Sequence, residues 1–80
     1  MTQESQMKFD NSERLTEIGY AISYYRKKRK LSQEQLAEMA GYSRNQIQRV
    51  ETANAAPSID LLFDVAEVLQ VPIEKLLEIR

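Results

Sequence analysis

The sequence predicts an all-α domain of five helices, and three observations carry that expectation. Apolar residues recur at three- and four-residue steps with no alternating stretch to compete. Only two glycines and two prolines punctuate 80 residues, of which 42% are apolar. Serines stand three residues before glutamines at two of the breaks, the spacing of a helix-opening capping box.

After Met1, residues 2–9 are polar apart from Met7 and Phe9 and show no period, so residues 1–12 are expected to form a mobile tail and 13–80 the domain. Asp10, Asn11 and Ser12 form a helix-start cluster. Beyond it Leu15, Ile18, Ile22 and Tyr25 make one apolar stripe, predicting a first helix that runs to about Lys30. Its last turn is basic, which suits the negative end of a helix. Ser32 with Gln35 opens a second helix through Leu36, Ala37 and Ala40, and Gly41 can take the left-handed conformation that ends it. Ser43 with Gln46 opens a third, with Ile47 and Val50 inward. Two helices joined by a turn of about three residues make a helix-turn-helix. Thr52–Pro57 is a loop. Ser58 caps a fourth helix with Ile59, Leu62, Val65, Ala66 and Leu69 inward, and Pro72 starts a fifth in which Ile73, Leu76 and Leu77 close the core.

Composition excludes several function classes. There is no cysteine and no histidine, so disulfides, thiolate metal sites and the commonest general base are missing together. No nucleophile–base pair, metal set or glycine-rich phosphate loop is present, so neither an enzyme nor a cofactor is expected. No run of 18 apolar residues and no signal-peptide pattern occur, and a cytoplasmic location with no membrane partner is the expectation. The net charge is −1, yet it is unevenly spread. Arg26, Lys27, Lys28, Arg29, Lys30, Arg44 and Arg49 face only Glu34 and Glu38 within 26–49, whereas residues 50–80 are acidic. The local field of the central third is therefore basic.

On a wheel of the third helix, Asn45 and Arg49 lie opposite Ile47 and Val50, with Gln48 more lateral and Arg44 in the first turn. Arginine pairs bidentately with guanine and asparagine with adenine, so this face suits the edges of bases in a major groove. A solvated surface helix shows the same polarity; the short preceding helix, the glycine turn and the basic run favour the DNA reading.

The stretch LSQEQLAEMAGYSRNQIQRVE, Leu31–Glu51, resembles the lambda-repressor-like, xenobiotic-response-element type of helix-turn-helix. The resemblance continues through PSIDLLFDVAEVLQVPIEKLL and covers roughly residues 15–77. It implies a compact five-helix domain binding pseudo-palindromic double-stranded DNA as a homodimer, in transcriptional control. By position it assigns Arg44, Asn45 and Arg49 to base edges, with Gln48 a weaker candidate. Gln33 would bind phosphate and steady Arg44, and Ser43 and Gln46 would lie near the DNA backbone. Arg26 and Glu51 are implied to form a structural pair, which agrees with Ile18, Ile22 and Arg26 sharing one row of the first helix. Lys28 and Lys30 are the phosphate candidates of the basic run, whose other reading is a solvated helix end.

The chain departs from the family pattern in two places. Where the family often has glycine after the third helix this chain has Ala53, so either Ala53 takes a left-handed conformation, costing about 1–2 kcal/mol, or Asn54 absorbs the turn. The loop Thr52–Ala56 carries no charge, leaving Thr52, Asn54 or backbone N–H groups for phosphate. Phe63 and Val68 fall off the inward stripe and are candidates for a partner interface. The competing function is a protein-interaction module, antitoxin-like or sensor-tethered, that keeps the fold; a protein effector or effector domain is a further candidate partner.

Overall fold

The computed structural model describes residues 9–78. Five helices follow in order: α1 (Ser12–Lys28), α2 (Gln33–Ala40), α3 (Arg44–Glu51), α4 (Ile59–Leu69) and α5 (Glu74–Leu77). No strand occurs among the described residues, and no helix there is long and apolar enough to cross a membrane. Most of the expected tail lies outside the described residues, but Ser12, assigned to it, is the first residue of α1. Asp10 Oδ1 accepts from the Ser12 N–H at 2.9 Å, a bond that holds the Asp10 carboxyl below its usual range.

Both capping boxes form. Ser32 accepts from the Gln35 N–H while Gln35 accepts from the Ser32 N–H, and Ser43 and Gln46 repeat the exchange at α3. Ser58 accepts from Leu61 N–H and opens α4. Each exchange satisfies donors that a helix start leaves without partners.

The four longer helices end alike. A residue with positive φ follows each one: Lys30 (59°), Gly41 (86°), Ala53 (61°) and Gln70 (58°). The next N–H then reaches back five residues, Leu31 to Arg26 O, Tyr42 to Ala37 O, Asn54 to Arg49 O and Val71 to Ala66 O, at 2.8–3.1 Å. Only Gly41 announces such a closure, because the other three residues reach it against a steric cost. Lys30 thus ends α1 at Lys28, shorter than the apolar period suggests. Ala53, not Asn54, absorbs the turn after α3.

The core is built from Ile22, Leu36, Ala37, Ile47, Val50, Leu61, Leu62, Val65, Ala66, Leu69 and Leu76. Leu31, Tyr42 and Val71, the residues that follow three of the closures, pack against its edge. Two expected core residues turn outward. Ile59 is 56% exposed because it is the first residue of α4, ahead of the turn that enters the core, and Leu61 is buried instead. Leu77 is 40% exposed, since α5 is a single turn and Leu76 occupies its inward position.

α3 rests on α2 and α1, α4 packs on α2, and α5 on α1. Gly19 permits a close approach of α1 to α3. A methyl group there would stand 2.5 Å from Glu51 O and 2.6 Å from Val50 O, both backbone atoms that cannot swing aside. The backbones of α1 and α3 are nearly in contact at this point.

Candidate nucleic-acid interface

The inner face of α3 is locked before its outer face is considered. Ile47 and Val50 are 1% and 4% exposed, and the C-terminal end is held by Glu51. Arg26 Nε donates to Glu51 Oε2 at 2.7 Å and Arg26 Nη2 to Glu51 Oε1 at 3.0 Å, while the remaining Nη1 donates to Leu31 O at 2.8 Å. Gln33 Nε2 adds a bond to Glu51 Oε1 at 3.0 Å. One carboxylate therefore ties α3 to α1 and α2 with its charge compensated and its oxygens satisfied. In this arrangement Gln33 leans on Glu51 and not on Arg44, because α2 begins beside the end of α3, where Glu51 offers the amide a buried acceptor.

Opposite the core, Arg44, Asn45 and Arg49 are exposed and Gln48 is half-buried. Arg49 is partly oriented, with Nη2 donating to Asn54 O at 3.2 Å and its own carbonyl accepting from the Asn54 and Ala55 N–H groups. Asn54 Nδ2 donates to Thr52 Oγ1 at 2.9 Å, and that hydroxyl donates to Gln48 O at 2.9 Å. Thr52 and Asn54 are thus brought together with Arg49 in one exposed cluster after α3. Asn45, Gln46 and Arg49 also border an open cleft of about 350 Å³, walled by Tyr42, Ala55, Ala56, Pro57 and Leu61. Ser43 and Gln46 are engaged in the capping box, at the start of the same helix.

The basic run is dispersed. Lys28 Nζ lies 5.6 Å from the centre of the Tyr24 ring on the outer side of α1. Arg29 Nη1 donates to Gln70 Oε1 at 2.8 Å, an attachment to the end of α4. Lys30 is exposed in the left-handed turn leading to α2. Lys28 and Lys30 are therefore not gathered with the polar face of α3 by any hydrogen bond.

Three features were not anticipated. Gly19 could have been singled out, since an isolated glycine inside a helical period marks a close approach. The Gln33–Glu51 bond has no signal of its own. Nor does the bond from Tyr42 Oη to Asp64 Oδ2 at 2.7 Å, which joins residues on two elements. That hydrogen bond, with desolvation and the charges of Asp64 and Asp60, pushes the Tyr42 phenol up to about 12.

With this geometry established, comparison with known proteins places the chain. The helix-turn-helix family HTH_3 matches residues 22–76, and the chain belongs to it. Among solved structures, the restriction-modification controller protein C.AhdI from Aeromonas hydrophila is similar, with 27% identity and a TM-score of 0.76 over 78% of this chain and 94% of that one. An HTH_3 family transcriptional regulator from Vibrio cholerae shares the fold at 22% identity and a TM-score of 0.78; the match covers 84% of this chain and 38% of that one. No curated protein matches the sequence.

Proposed function

We propose that this protein is a sequence-specific, duplex-DNA-binding transcriptional regulator that lays α3 in the major groove and acts as a homodimer on a pseudo-palindromic site. The observation that carries the reading is the contrast across α3. Its inner face is fixed by Ile47, Val50 and Glu51, and its outer face presents Arg44, Asn45 and Arg49 to solvent. A helix fixed on its inner face that aims polar donors outward, with Arg49 held by one bond to Asn54 O, has little ordering left to lose when it meets base edges. Gln48 is a lateral contact, Ser43, Gln46, Thr52 and Asn54 contact phosphate at the two ends of α3, and Gln33, Lys28 and Lys30 extend that footprint. The similar structures are, by name, a restriction-modification controller and a transcriptional regulator, which supports regulation as the class of activity.

The test is enrichment of one duplex sequence from a randomised pool by the purified protein, followed by sizing of the complex for two copies per site. A second reading, a protein-interaction module, draws on the exposed Phe63 and Ile59, which lie one turn apart on α4, whereas Val68, the other expected candidate, packs against the edge of the core. Failure to enrich any sequence would favour it.

A further inference from the structure

α3 is held firmly at its C-terminal end, where Arg26, Gln33 and Gly19 converge on Glu51. Its N-terminal end, which carries Arg44 and Asn45, has a different attachment. The turn before it is closed by Gly41 and the Tyr42 N–H to Ala37 O bond, both of which belong to α2. Among the described residues, the side-chain hydrogen bond that links this turn to α4 is the one from Tyr42 Oη to Asp64 Oδ2. Tyr42 immediately precedes Ser43, the N-cap of α3, so the position of its ring sets where the helix begins.

We infer that Tyr42 and Asp64 are a positioning pair that fixes the N-terminal end of α3, and thereby the aim of Arg44 and Asn45, against α4. The inference rests on the DNA-binding reading for its consequence but not for its mechanics. Two observations converge on it. The 2.7 Å separation is that of a hydroxyl bonded to a carboxylate, among the stronger hydrogen bonds. The same bond is what raises the ionisation of the phenol. The Tyr42 ring walls the cleft bordered by Asn45, Gln46 and Arg49, so a shift of the ring shifts the surroundings of the exposed face. With the C-terminal end pinned at Glu51, freedom at Tyr42 becomes a change in the angle of α3, largest at Arg44 and Asn45 and smallest at Val50.

The experiment has two arms. In the free protein, backbone ¹⁵N relaxation is compared for wild type, Tyr42→Phe, Asp64→Ala and Asp64→Asn. The phenylalanine keeps the ring and loses only the hydroxyl, and the asparagine keeps an acceptor. Increased motion at Arg44 and Asn45 but not at Val50 and Glu51 is expected in the first two variants and not in Asp64→Asn. In the second arm, selection on randomised duplexes should show Tyr42→Phe and Asp64→Ala losing about three- to tenfold preference at the base pairs nearest the start of α3, the size of one hydrogen bond's effect. Preference at the pair read by Arg49 and affinity for unrelated duplex should stay unchanged. A merely stabilising bond would lower the melting temperature without moving one part of the selected sequence. Unchanged relaxation at Arg44 and Asn45 in Tyr42→Phe would overturn the inference. So would a wild-type selection profile in both Tyr42→Phe and Asp64→Ala, provided wild type selects a sequence. Loosened amides in a protein that selects no sequence would uphold the positioning pair and reject the DNA reading alone.

Discussion

Arg26 on α1 and Glu51 at the end of α3 meet fork to fork, through bonds of 2.7 and 3.0 Å between side chains only 10% and 4% exposed. The geometry lets the charges neutralise each other, while Leu31 O accepts a third bond from Arg26 and Gln33 donates a further one to Glu51. A buried pair of this kind is worth little against an apolar replacement of both partners, but removing one leaves a buried charge stranded.

Arg26→Ala should therefore cost roughly 3–5 kcal/mol, a large share of the roughly 4–12 kcal/mol expected for a domain of this size. Lys28→Ala, which removes only an exposed contact with a tyrosine ring, should leave the melting temperature nearly unchanged. Thermal melts of the two variants, side by side, check the assignment; matching curves would contradict it.

Gly19→Ala should destabilise by about 1–3 kcal/mol even though alanine is the better helix former by about 1 kcal/mol. The new methyl meets two backbone carbonyls at 2.5 and 2.6 Å, so α1 and α3 would have to separate. Urea denaturation measures the loss, and a more stable variant would show that the helices part freely.

Ala53→Gly should act in the opposite direction. The residue sits at φ 61°, where an L side chain is strained by about 1–2 kcal/mol, and glycine recovers most of that less its extra unfolded-state entropy. A gain of about 1 kcal/mol is expected as a higher denaturant midpoint with an unchanged slope. A loss would mean that the loop relies on alanine for something other than its backbone.

These four variants mark how far the sequence could be read. The starts of α2, α3 and α4 were legible because Ser32, Ser43 and Ser58 use short-range chemistry that lies within four residues of the chain, whereas α5, expected from Pro72, begins at Glu74 without a side-chain cap. The helix ends were legible only at Gly41; Lys30, Ala53 and Gln70 adopt the same left-handed turn without a residue type that signals it. Ile59 and Leu77 were misplaced because the apolar period does not say where a helix begins or how short it is. The exposed face of Asn45 and Arg49 followed from the wheel alone, while the place of Arg44 came from the family resemblance. The resting place of Gln33 did not, because Glu51 lies 18 residues away and only the packing of α2 on α3 brings them together.

Affinity for duplex DNA should fall steeply with salt. Each phosphate neutralised contributes about −0.9 to the log–log slope on B-DNA, so Lys28→Ala should reduce the slope by about one unit if Lys28 touches phosphate. Titrations of one duplex across several salt concentrations give the number directly. A flat response would remove the basic run from the footprint.

The claim that α3 reads bases is tested most directly by selection on randomised duplexes with wild type, Arg49→Ala and Asn45→Ala. Both side chains are exposed one turn apart on the same face, so truncating them spares the core. Arg49→Ala should lose roughly 1–3 kcal/mol on the preferred site and relax selection at one base pair, and Asn45→Ala should relax its neighbour. In a two-fold dimer both changes should recur in two half-sites about 34–36 Å apart. An unchanged selected sequence in both variants would contradict the account, and the exposed apolar residues of α4 would then become the surface to pursue.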